Sequence, residues 1–144
     1  MIEDDTIKLL RECDAGVKMG ISSIHDVLEY VHADLLRHCL ADCLSGHEKL
    51  EIEIRELLSC YHDQGKAPNP MAKSMSWIKT NVKLTMNESD AAIADLMTDG
   101  CNMGIKSLYK YLNQYKAADG KSKDIAKRLI KLEEKLTADI RSFL

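Results

Sequence analysis

Asp14, His47 and Glu133 are the residues of this 144-residue chain whose types and positions come nearest to metal-ligand chemistry. Each falls on or beside the apolar stripe of a helical segment, where a side chain faces a core instead of water. A carboxylate-bridged di-metal centre in a helical bundle takes a Glu from each of two helices and a Glu-x-x-His from each of the other two. At the matching positions this chain reads Leu44-x-x-His47 and Ile130-x-x-Glu133, and the counterpart of Asp14 is Thr98. Asp99, its neighbour, points outward. Most ligands of such a centre are therefore replaced, and a bound metal ion is the minor expectation. His47 reads first as a core histidine hydrogen-bonded to Glu133 or Asp14.

Cys39, Cys43 and His47 follow the spacing Cys-x-x-x-Cys-x-x-x-His. On a helix the outer two lie about 12 Å apart. One zinc ion with bonds of about 2 Å cannot span that distance, so these cysteines read as small core residues. Cys60, close to His62, is a candidate reactive thiol without an identifiable activator. The sequence shows no nucleophile–base pairing, phosphate loop or dinucleotide fingerprint, so neither catalysis nor a cofactor is expected.

Glycines pose a second question. Gly16 and Gly20, and again Gly100 and Gly104, stand four apart inside helical segments, where alanine would be better by about 1 kcal/mol each. Asp14 and Lys18 flank the first pair, which excludes a membrane-helix dimer motif. Close packing of the first and third long helices at all four positions is the expected reason, with room for a small ligand as the alternative.

These positions belong to a repeat. Gly-Val-Lys-Met-Gly-Ile-Ser-Ser-Ile at 16–24 returns 84 residues later as Gly-Cys-Asn-Met-Gly-Ile-Lys-Ser-Leu. Glu-Lys-Leu-x-x-x-Ile-Arg-x-x-Leu at 48–58 returns 86 residues later at 134–144. Two copies of one helical hairpin are implied. The first copy covers about 4–64, a crossover about 65–88 and the second copy about 89–144.

Apolar spacing predicts a helix from Asp4 to Val31, a break at His32-Ala33-Asp34 with Asp34 as cap, and a second helix ending near Gly65. Past the breaker Gly65-Lys66-Ala67-Pro68-Asn69-Pro70, a shorter crossover helix carries Met71, Met75, Ile78, Val82 and Met86. A third long helix follows Asn87-Glu88-Ser89-Asp90 and runs to about Tyr115, and Ser122 caps the last, which reaches the C-terminus. Four long helices with one long crossover form a ferritin-like bundle in a single domain.

Composition agrees. Hydrophobic residues make up 45% of the chain, aromatics only 5%, and the net charge is -3. That charge gives no reason to expect nucleic acid, and the lysines of the last helix alternate with Asp124, Glu133 and Glu134 as on a solvated face. No apolar run is long enough for a bilayer, the acidic start is unlike a signal peptide, and five cysteines suggest free thiols in the cytoplasm. Met19, Met103 and Leu96 project away from the core stripe, packed under the crossover, singly exposed, or part of a subunit interface.

The pattern Leu-Leu-x-x-Cys-Asp-x-Gly at 9–16, the crossover Gly-x-x-Pro at 65–68, Ser76-Trp77-x-Lys79 and Ser89-Asp90-x-x-Ile93 resemble an uncharacterised family of ferritin-like bundles, a domain of unknown function. The resemblance implies a fold and no particular activity. The functional expectation is a non-enzymatic soluble protein acting as a homo-oligomer or small-ligand binder, with a degenerate metal site. The alternative is a metal-binding protein or oxidoreductase that uses Asp14, His47 and Glu133.

Overall fold

A computed structural model describes residues 2–66 and 90–144. Four long helices carry the described chain: α1 (Ile2–Leu28), α2 (Asp34–Cys60), α3 (Asp90–Gln114) and α4 (Gly120–Asp139). A 3-10 turn at Arg141–Phe143 closes it, so α4 itself stops short of the C-terminus. The anticipated crossover helix lies outside the described residues.

Apolar spacing explains the helices. Buried positions in α2 are Leu36, Leu40, Cys43, His47, Leu50, Ile54 and Leu58, a nearly continuous three- and four-residue stripe. Such a stripe faces one side of the helix and must be covered. Each leucine or isoleucine of the stripe contributes about 1.5–3 kcal/mol on burial.

Two apolar clusters show how the helices run. At one end Ile24 and Val27 of α1 meet Leu36 and Leu40 of α2, Ile93 of α3 and Leu136 of α4. At the other, Leu9 and Leu10 meet Ile54, Leu58, Leu108 and Ile125. The start of α1 therefore packs on the end of α2, and the start of α3 on the end of α4. Both pairs are antiparallel hairpins, and the four helices pack together as a bundle.

The turns are secured across the bundle. Asp90, at the start of α3, accepts hydrogen bonds from the amides of His32 (2.8 Å) and Ala33 (2.9 Å) in the α1–α2 turn. Thr6, near the start of α1, accepts one through Oγ1 from the amide of Asp119 (2.8 Å) in the α3–α4 turn. Thr6 and Asp90 are 84 residues apart, Ala33 and Asp119 are 86 apart, and these are the spacings of the sequence repeat. Each hairpin thus satisfies orphan amides of the other.

Two capping expectations are corrected here. Ala33, not Asp34, is the N-cap of α2, and Asp34 pairs with Arg37 instead. Asp119, not Ser122, caps α4: its carboxylate accepts from the Ser122 amide at 2.8 Å.

Candidate functional site

Between the two apolar clusters lies a waist that holds the buried polar side chains His47 and Glu133. His47 belongs to the α2 stripe and Glu133 to the α4 stripe, so helix geometry alone turns both inward. A glycine of the hairpin's other helix receives each of them. A Cβ added at Gly20 would come within 2.7 Å of Cδ2 and Nε2 of His47. One added at Gly104 would come within 2.6 Å of Glu133 Oε2 and 2.8 Å of Oε1. Gly20 and Gly104 are 84 residues apart and His47 and Glu133 are 86 apart, so the hairpins make the same contact.

The glycines therefore serve a different purpose from the close approach of α1 and α3 read from sequence. At Gly20 and Gly104 the neighbour is a polar side chain from the paired helix of the same hairpin. At Gly16 it is Leu129 of α4, at an ordinary 3.7 Å. Among the described residues nothing lies within 4 Å of a Cβ at Gly100, so they show no close packing there.

Protonation follows from the surroundings. His47 Nδ1 lies 2.8 Å from the Cys43 carbonyl, which can only accept, so Nδ1 carries the proton and Nε2 the lone pair. Burial pulls the imidazole below its ordinary value, partly opposed by that hydrogen bond. Burial also pushes the Glu133 carboxyl up to about 8. At neutral pH the waist thus holds a neutral imidazole and a mostly protonated carboxyl. Among the described residues His47 Nε2, Glu133 Oε2 and Thr98 Oγ1 are buried without a hydrogen-bond partner. The anticipated bond from His47 to Glu133 or Asp14 is not formed: Nδ1 donates to the backbone of α2, and Nε2 has no donor among the described residues.

Two thiols flank the waist. Cys43 Sγ sits 3.5 Å from His47 Nδ1. Burial, then the charge of Glu133, pushes the Cys43 thiol up to about 12 and raises Cys101 as well. Cys39 is only partly buried, one turn away, so the Cys-x-x-x-Cys-x-x-x-His spacing supplies one thiol to His47. Cys60 is exposed, its thiol directed at the Glu56 carbonyl 3.4 Å away.

Asp14 stands apart from the other two candidates. Its buried carboxylate accepts from Lys18 Nζ at 2.7 Å and from the Lys66 amide at 2.9 Å. Gly65, at φ +86°, lies against the same carboxylate, where a side chain would collide. Lys66 Nζ in turn pairs with Glu12. Asp14 is a clasp that ties the chain leaving α2 back to α1. Among the described residues no three His, Cys, Asp or Glu side chains converge as a metal ion requires, and Asp14, His47 and Glu133 do not fit a resident metal centre as a trio.

On the outside, Met103 is 67% exposed, whereas Met19 and Leu96 are half-buried. A hollow of about 210 Å3 is lined by Lys8, Arg11, Glu12, Lys66 and Tyr115. A larger one, of about 360 Å3, runs between α2 and α4. Sequence reasoning passed over it. Its signal was Gly46, a helix-interior glycine directly before His47, which leaves a notch that Leu132 fills.

Fold and waist together define an all-α protein of four packed helices, and no described helix is long and apolar enough to cross a membrane. Comparison with family models, curated proteins and solved structures finds no match.

Proposed function

We propose that this chain is a ferritin-like bundle made from two copies of one hairpin, packed shut at the level where such bundles hold metal, and that it works without catalysis through its helix surfaces. The carrying observation is the repeated contact of His47 on Gly20 and Glu133 on Gly104. Ferritin-like bundles build their centres from inward carboxylates and histidines of facing helices. Here the inward polar groups are spent on filling glycine notches, as neutral species. A neutral, filled waist offers neither the negative charge nor the space that binds a cation.

The surface is then where recognition falls, as a homo-oligomer or as a binder of another molecule. The exposed apolar side chains Ile52, Met103 and Tyr109 suit such a role. Five free thiols fit a reducing, cytoplasmic setting. The resemblance to the uncharacterised ferritin-like family supports the same fold and adds no activity.

Size-exclusion chromatography with light scattering tests the oligomer reading. A concentration-dependent mass above 16.2 kDa is expected. A particle that stays monomeric at all concentrations and binds nothing would overturn it. Elemental analysis of protein purified without chelator or affinity-tag metal tests the waist. Stoichiometric iron, manganese or zinc that is lost in His47→Ala would instead establish the metalloprotein.

A further inference from the structure

We infer that the groove between α2 and α4 is a docking site for an acidic, amphipathic helix of a partner protein; the inference rests on the proposal that the chain acts through its surface. The floor of this groove is apolar. Leu50 is buried there, and Leu132 lies so deep in the notch at Gly46 that a Cβ would come within 2.6 Å of its Cδ2.

The walls are basic. Lys49 stands on α2, and Arg128, Lys131 and Lys135 stand on α4. Glu53 is held by Arg128 through two hydrogen bonds of 2.8 Å, and Lys135 is paired with Asp139. Among the described residues Lys49 and Lys131 have no carboxylate partner, and they occupy opposite walls. Two uncompensated ammonium groups thus flank an apolar strip on a chain whose net charge is -3.

A complementary ligand carries carboxylates toward both walls and an apolar side chain between them. An acidic amphipathic helix has that pattern. A nucleic-acid strand suits the groove less well, because no lining residue is an aromatic on which a base could stack and Glu53 sits among the cations. Inorganic phosphate would match the lysines and leave the apolar floor unused.

Fluorescence anisotropy with a fluorescein-labelled peptide, in which glutamates flank a leucine stripe, tests the inference. Wild type should bind it, more weakly as salt rises. The Lys49→Glu/Lys131→Glu double variant should lose about tenfold or more in affinity, while Lys110→Glu on exposed α3 should not. Circular dichroism checks that both variants remain folded. Absence of binding by wild type, equal binding by the double variant, or equal binding of the same peptide with glutamine for glutamate overturns the inference. So does displacement of the peptide by single-stranded DNA or inorganic phosphate at similar concentration, which would assign the groove to anions in general. Light scattering on the same samples separates the two proposals. Self-association of a wild type that ignores the peptide defeats the groove and leaves the surface reading intact.

Discussion

The carboxyl of Glu133 rests on Gly104, with Oε2 only 2.6 Å from where a Cβ would stand. The imidazole of His47 rests on Gly20 in the same way, 2.7 Å from its missing Cβ. A helix-interior glycine is destabilising by about 1 kcal/mol relative to alanine, and at these two positions a buried polar side chain occupies the space.

Glycine substitutions should therefore diverge. Gly20→Ala drives a methyl group into a ring fixed by its bond to Cys43, and a loss of about 1–3 kcal/mol is expected despite the better helix propensity. Gly100→Ala meets nothing within 4 Å among the described residues and should gain about 0.5–1 kcal/mol. Urea denaturation of both variants measures the difference, and equal effects would contradict the notch.

Stability should depend on pH through the waist. The folded Glu133 carboxyl lies at about 8, above its ordinary 4.5. Its contribution is fully present below 4.5 and is lost as pH rises through 8, because the unfolded chain releases this proton first. His47 acts in the opposite sense. Its folded value lies below 6.5, so stability falls as pH drops beneath 6.5 and the unfolded chain takes up a proton. Glu133→Gln should flatten the alkaline decline, by roughly a few kcal/mol, and His47→Gln the acid one. Urea midpoints from pH 5 to pH 9, run with both variants, report the two limbs.

The Asp14 clasp should matter as much as a core contact. Asp14→Ala leaves the Lys66 amide and the Lys18 ammonium without their acceptor. A loss of about 1.5–3 kcal/mol is expected by urea denaturation, since a hydrogen bond to a buried charge is stronger than a neutral one. A silent substitution would refute the clasp.

Capping should follow the three-dimensional partners. Asp90→Ala and Thr6→Ala should each lower stability by about 0.5–2 kcal/mol, as loss of a cap does. Asp34→Ala should stay within about 0.5 kcal/mol of wild type, because among the described residues its exposed side chain serves only Arg37. Thermal melts of the three variants rank them.

The four long helices and the inward placement of His47 and Glu133 were legible in the sequence because both rest on local three- and four-residue spacing. The cap from Asp90 was not, since its partners lie 57 and 58 residues away and no spacing rule reaches so far. Gly20 and Gly104 announced that something lies close without saying what. A facing backbone and a facing side chain leave the same mark on a sequence. Asp14 looked like a ligand because buried carboxylates often are, yet the backbone amide of Lys66, which a sequence cannot place, already occupies it. Gly46 gave away the groove only once Leu132 was seen in its notch.

Carbon- and nitrogen-detected NMR titration of the Glu133 carboxyl and the His47 ring probes the filled, neutral waist most directly. A carboxyl midpoint near 8, with a ring that stays Nδ1-protonated and titrates below 6.5, is the expected result. Midpoints close to 4.5 and 6.5, or ring signals shifted by a bound metal, would contradict it.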